Sequence, residues 1–223
     1  MERWATFDCY GTLIDWADGM HRLLEPFAGD RTTALLGSYY RLEPAVCARR
    51  PHLAYRDVLA ETLAQAAHEQ GIKVPARDLL ADGWGQLHPF DDTLRELTGL
   101  RQSGWKIAIL TNCDRDLFAV SEAQLGGLVD LAVTAQDVQS YKPEMRHFHA
   151  FVERTGATPA NWVHVANSWM ADIVAAFRLG VPSVWIDRDH SGHDATLANL
   201  HQHDLTNLAA AVDGVQGRGR NDG

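Results

Sequence analysis

Cysteine is scarce in this chain of 223 residues, with three in all. Three cannot make a disulfide framework, and the spacing of Cys9, Cys47 and Cys113 fits no zinc site. They read as free thiols of a reducing compartment, Cys9 and Cys113 as small core residues. Long apolar runs are missing too. No stretch approaches the ~18–20 residues needed to cross a bilayer, and Met1-Glu2-Arg3-Trp4 opens no apolar signal segment. No membrane association and a cytoplasmic location are the expectation. Positive charge is in deficit. Lys plus Arg is 20 against 29 for Asp plus Glu, a formal net charge of −9. That sign gives no general attraction to nucleic acid or anionic membrane. Lysine is the scarcer cation: Lys73, Lys106 and Lys142 stand against seventeen arginines. The eleven histidines include the close pairs His147/His149 and His201/His203, none spaced with carboxylates as a metal site.

What is present is enough apolar residue for a real core: 46% hydrophobic and 22% charged. The length suits one ordinary domain with an insertion, or two small domains. Short apolar runs at 4–8, 106–111, 128–134, 162–166 and 183–186 lack polar alternation, as strands buried on both faces do. Helical patterns lie between them at 115–124, 146–155, 170–179 and 204–212. Alternating strand and helix predicts a doubly wound, mainly parallel α/β core.

About 90 residues separate Asp8 from Lys106, far more than a crossover needs. The gap reads as helical at 21–27, 33–49, 53–70 and 76–87, with prolines between and Pro44 expected to kink or end its helix. The division expected is a core of 1–15 and 92–213, a helical insertion of 16–91 and a solvated tail of 214–223. Such an insertion lies over the C-terminal edge of the sheet, where open α/β sheets bind ligands.

Four segments fall at predicted strand ends. They are Phe7-Asp8-Cys9-Tyr10-Gly11-Thr12-Leu13, Leu110-Thr111-Asn112, Ser140-Tyr141-Lys142-Pro143, and Val165-Ala166-Asn167-Ser168 followed by Asp172. A carboxylate leaving a strand into a Gly-containing loop, a hydroxyl and an amide next door, a lysine and a second carboxylate together suit a carboxylate nucleophile and an anionic substrate.

In order and spacing these segments resemble the haloacid dehalogenase superfamily over nearly the whole chain. The resemblance implies a Rossmann-like core with an all-helical cap after the first strand. It implies Asp8 as the nucleophile of an aspartyl-ester reaction, with Thr12 and Lys142 beside it and Asp172 in the fourth motif. Thr111, Asn112, Asn167 and Ser168 would bind a small anionic substrate. The phosphatases of the superfamily carry a second Asp two residues after the nucleophile, to protonate the leaving oxygen. Here Tyr10 stands there, as in the L-2-haloacid dehalogenase branch, and its ring would line the pocket. Asn167 stands where phosphatases usually ligate Mg²⁺ with Asp, and a neutral amide is a poor ligand for that ion. No metal or other cofactor is therefore expected. Counting back from Asp172 puts the branch's amide on Trp169, whereas a gap puts it on Asn167. Arg41 lies near the distance at which the branch's cap arginine receives halide. The resemblance also suggests a homodimer. The reaction implied is hydrolytic dehalogenation of a small 2-haloacid, or a related α-substituted carboxylate, to the 2-hydroxy acid. The alternatives are a Mg²⁺-dependent phosphatase with its acid elsewhere, perhaps in the cap, and a reduced module that binds an anion or a partner protein.

Overall fold

The computed structural model describes residues 2–49 and 52–218. Six strands form one sheet: β1 Arg3–Phe7, β2 Trp105–Thr111, β3 Leu131–Thr134, β4 Trp162–Ala166, β5 Ser183–Ile186 and β6 Leu200–Gln202. Their order is β3-β2-β1-β4-β5-β6, and every neighbouring pair is parallel. The chain winds from β1 outward to β3, then returns to the other side of β1 with β4. The point where winding reverses lies between β1 and β4, and loops part there to leave a crevice at the C-terminal strand ends.

Period-two alternation sends the strand side chains to two apolar layers. Ala5, Phe7, Ile107, Ile109, Val163 and Val165 join the larger one, which includes residues of α5 (Thr93–Gln102) and α10 (Leu208–Arg218). Trp4, Ala108, Leu110 and Trp162 join the other, with Phe148 and Phe151 of α8 (Arg146–Thr155). Covering both faces is what lets the strands be apolar throughout. Helices α6 (Arg115–Gln124), α7 (Ala135–Val138) and α9 (Val174–Arg178) complete the connections.

Between β1 and α5 the chain is helical: α1 Trp16–Ala28, α2 Thr32–Cys47, α3 Tyr55–Glu69 and α4 Leu79–Asp82. An aromatic cluster ties this layer to the loop after β1. Tyr10, Trp16 and Tyr55 meet Trp84 edge-on with centroids 5.0, 5.4 and 6.0 Å away.

Several expectations are corrected. The tail expected from Gly214 is helix as far as Arg218, because Val215 is buried against the core; residues 219–223 lie outside the described ones. Pro44 does not end its helix, since α2 runs on to Cys47 and only the last turn lies beyond the missing N–H. The helix expected over 76–87 breaks into α4 and a 3₁₀ turn at Trp84–Gln86. Gly83 at the break packs so closely on α1 that a Cβ would stand 2.3 Å from Leu23 Cδ2. Strand β6 and helix α5 were not expected from the sequence.

Candidate active site

Asp8 follows the last residue of the central strand β1 and lies 8% exposed. Gly11, at φ +88°, turns the loop; a Cβ there would stand 3.2 Å from Asn167 Nδ2. The turn aims Thr12 back at the strand end. Its hydroxyl donates to Asp8 Oδ2 at 3.1 Å and accepts from the Asn167 amide at 2.8 Å.

Lys142 closes the arrangement from beyond β3. Its Nζ donates to Asp8 Oδ1 at 2.9 Å, to Asp172 Oδ1 at 2.7 Å and to the Leu110 carbonyl at 2.8 Å. Three ammonium protons meet three acceptors, and the side chain is 1% exposed. Asn112 fixes this position from β2. It donates from Nδ2 to the Lys142 carbonyl and accepts the Lys142 amide at Oδ1, at 3.1 and 2.6 Å. That side chain clamps the lysine backbone and also lines the cavity described below.

Burial disfavours the ammonium, but Asp172 and Asp8 outweigh it and hold its pKa above the ordinary lysine value. Burial likewise works against charge on Asp172; Lys142 and then His164 outweigh it and pull that carboxyl below its usual range. Asp8 goes the other way. Burial lifts its pKa further than Lys142 lowers it, and Asp172 adds to the rise. The ammonium stands 2.7 Å from Asp172 Oδ1 and 2.9 Å from Asp8 Oδ1. Asp8 is the less stabilised carboxylate, a suitable condition for a nucleophile.

Behind Asp172 runs a buried polar chain. Its Oδ1 accepts from His164 Nε2 at 3.0 Å, and His164 Nδ1 meets Thr6 Oγ1 at 2.8 Å. Trp162 Nε1 donates to that same Oγ1 at 2.7 Å. With Trp162 donating, the Thr6 hydroxyl is free to donate to Nδ1, and His164 gives its Nε2 proton to Asp172. Asp172 Oδ2 has no partner among the described residues.

A cavity of about 190 Å³ stands over these groups, lined by Asp8, Lys142 and Asp172 from the strand ends and by Trp16, Glu43 and Tyr55 from the helical layer. Thr111 and Ser168 line it as well. The Thr111 hydroxyl has no partner among the described residues, and Ser168 Oγ accepts only the Ala171 amide. Tyr10 also lines the cavity. Its hydroxyl is tied up, accepting from Trp84 Nε1 at 2.9 Å and bonding Ser121 Oγ at 3.0 Å. An outer cavity of about 620 Å³ shares Glu43, Tyr55 and Lys142 with the inner one.

Other expected site residues lie elsewhere. Arg41 is on the solvent side of α2, 60% exposed and paired with Glu69 of α3, because α2 turns Glu43 and not Arg41 toward the cavity. The Asn167 side chain turns out to Asp189 at 2.9 Å and lines neither cavity. Trp169 stacks on His193. Between them, Ser168 faces the cavity. A single π turn over Trp169–Ile173 follows it, with the Ile173 amide donating back to Ser168 O at 3.2 Å. The Asp172 amide donates to the same carbonyl at 3.1 Å, so the turn widens only after Asp172. Cys9 and Cys113 are core residues whose thiols burial pushes well up, so neither is a thiolate nucleophile. Away from the cavity, His201 and His203 gather with Asp187, with ligand atoms within 4.8 Å of one another. Sequence spacing gave no sign of that group, because β6 brings it together.

The haloacid dehalogenase-like hydrolase family matches residues 3–180. The chain belongs to that family. An (S)-2-haloacid dehalogenase of Pseudomonas fluorescens is 27% identical over 225 residues, covering 92% of each chain. A solved L-2-haloacid dehalogenase superposes with a TM-score of 0.86 at 21% identity, covering 95% of this chain and 99% of that one. The L-2-haloacid dehalogenase of Xanthobacter autotrophicus with chloropropionic acid covalently bound gives a TM-score of 0.81 at 19% identity, covering 96% and 99%.

In this haloacid dehalogenase-like hydrolase a hard divalent cation would find no charged oxygen at Tyr10 or Asn167. Such an ion wants several charged oxygens. Here the ammonium bonds both carboxylates, the Tyr10 hydroxyl is engaged with Trp84 and Ser121, and Asn167 is turned away. Among the described residues no helix is long and apolar enough to cross a membrane. Sequence reasoning missed Glu43, Tyr55, His164 and the Leu110 carbonyl. A histidine inside an apolar strand, paired in register with Thr6 of β1, was the available signal for His164.

Proposed function

We propose that this hydrolase displaces a leaving group from C2 of a small 2-haloacid, or related α-substituted carboxylate, through an ester on Asp8. The observation that carries the reading is one ammonium shared by Asp8 and Asp172 beneath a small cavity, with no acid two residues after Asp8. The relatives named above are dehalogenases by name, and the cavity volume suits a substrate of a few heavy atoms.

An Asp8 oxygen attacks C2 from the strand side and the bond to the leaving group breaks with its electron pair. Thr111 Oγ1 and Ser168 Oγ supply neutral donors for the substrate carboxylate. Thr12 and Lys142 hold the Asp8 oxygens in line, the positioning that makes such attack unimolecular. Water then attacks the Asp8 ester carbonyl, and the unpartnered Asp172 Oδ2 takes its proton. Lys142 balances the charge that develops, and the 2-hydroxy acid leaves.

Purified protein given 2-chloropropionate and an aryl phosphate, each with Mg²⁺ and with chelator, tests this. Chloride release that survives chelator is expected. Phosphate release that depends on Mg²⁺, with no chloride, contradicts it.

A further inference from the structure

Strand β5 ends at Ile186, and the next residue, Asp187, is 3% exposed. Its Oδ1 accepts the Ser191 amide at 2.9 Å, which fixes the carboxylate. Its Oδ2 stands 3.5 Å from Nε2 of His201 on β6. His201 pairs in register with Trp185 of β5 and stacks on it, with ring centroids 4.4 Å apart and planes at 18°. His203 comes just after β6. Its Nδ1 donates to the Asp187 carbonyl at 3.0 Å, so the other ring nitrogen keeps the lone pair. The His203 ring meets His201 edge-on at 4.9 Å and packs against His190 at 4.2 Å. Both β6 imidazoles are therefore held by neighbours while remaining open to solvent.

The spacing points to an ion. A separation of 3.5 Å between Asp187 Oδ2 and His201 Nε2 is long for a hydrogen bond. It matches the spacing of two ligand atoms on a tetrahedral Zn²⁺, about 3.4 Å for bonds of about 2.05 Å. One donor atom from each of Asp187, His201 and His203 lies within 4.8 Å of the others, and rotation of the two exposed side chains closes the rest of the gap. Two imidazoles and one carboxylate suit Zn²⁺, Ni²⁺ or Cu²⁺, whereas Mg²⁺ and Ca²⁺ take oxygen.

We propose that Asp187, His201 and His203 form a binding site for a divalent transition-metal ion of the Zn²⁺ class, with water completing the shell. None of the three lines either cavity, so the site is a structural clip and takes no part in the displacement at Asp8. It joins the end of β5 to the end of β6, an edge strand of three residues that pairs with β5 alone. The loop that starts at Asp187 also supports the loop after β1. Arg188 Nε donates to the Thr12 carbonyl at 3.1 Å, and Asp189 accepts from Asn167 Nδ2 at 2.9 Å. An ion at Asp187 stiffens that support.

The test uses the full chain without an affinity tag, stripped with chelator and returned to metal-free buffer. Zn²⁺ is titrated in competition with a chromogenic chelator, and thermal melts are run with and without the ion. One equivalent is expected to bind, and the melting temperature is expected to rise by about 5–10 °C at ~100 times the Kd. His201→Ala and His203→Ala are each expected to weaken binding ~10-fold or more and to lose most of that rise. His68→Ala and His149→Ala remove exposed imidazoles outside the group and are expected to bind as wild type does. Mg²⁺ at the same concentration is expected to give no rise. If His201→Ala, which unstacks Trp185, melts too early to be titrated, His203→Ala decides. No bound equivalent, no rise with Zn²⁺, an equal rise with Mg²⁺, undiminished binding in His203→Ala, or the same loss in the two control variants overturns the proposal.

Discussion

Lys142 Nζ lies 2.9 Å from Asp8 Oδ1 and is bonded as closely to Asp172, so one buried ammonium holds two carboxylates. Removing it leaves both carboxylates in low dielectric without their cation. Breaking a buried pair in this way costs about 3–5 kcal/mol. Lys142→Met is therefore expected to lower the urea midpoint strongly and to abolish turnover. Lys142→Arg is not expected to rescue it. A planar fork cannot place three protons on Asp8, Asp172 and Leu110 O from one atom. Equilibrium unfolding of the two variants against wild type checks both statements.

His147 gives a pH dependence with a definite sign. It lies fully buried in α8, its Nε2 bonded to the Thr111 carbonyl at 3.0 Å. Burial, with help from Lys142, pushes its imidazole down to about 4 from an ordinary 6.5. The unfolded chain then binds more protons than the folded one between those values. Stability present above about pH 6.5 is lost as pH falls toward 4, by about 3 kcal/mol in all. Urea midpoints across that window are expected to fall for wild type and to flatten for His147→Gln.

Asp172 adds a second acid-side slope, lower down. Its folded carboxyl is held below the ordinary value by Lys142 and His164 against burial. Its contribution is complete above the unfolded value of about 3.9 and is lost as pH falls through the folded one. The gap in stability between wild type and Asp172→Asn is therefore expected to be full at pH 7 and to close below about pH 4. A gap constant with pH contradicts the ionised assignment.

Arg41 is the residue on which sequence and structure part company. Its ion pair with Glu69 is exposed, and such pairs contribute about 0–1 kcal/mol. Arg41→Ala is expected to leave kcat and KM for a 2-haloacid unchanged and to shift the melting temperature little. A large loss of activity places Arg41 in the site after all.

The core of the site was legible because Asp8, Thr111, Lys142 and Asp172 each end a strand or come after one. Apolar runs mark strands, and the polar residue that ends a run marks the edge where sites form. The cap was not legible in the same way. A helix shows which residues share a face but not which face meets a neighbour. Arg41 and Glu43, two positions apart on α2, point to different sides, and the family resemblance favoured the arginine. A Tyr four residues before Glu43 was the one local sign that its carboxyl had a partner. Strand β6 escaped because Leu200-His201-Gln202 has no apolar run, and its partner β5 supplies the pairing. The π turn escaped because it depends on Ser168 O accepting from Ile173, five residues on.

The Asp8 ester can be read by where water's oxygen goes. In a single turnover with enzyme in excess over 2-chloropropionate in oxygen-18 water, the Asp8 oxygen is transferred to the product and solvent oxygen replaces it. Mass spectrometry of the peptide that carries Asp8 is expected to find the label there, with unlabelled 2-hydroxy acid. Label in the product and none on the Asp8 peptide would show direct attack by water and contradict the aspartyl nucleophile.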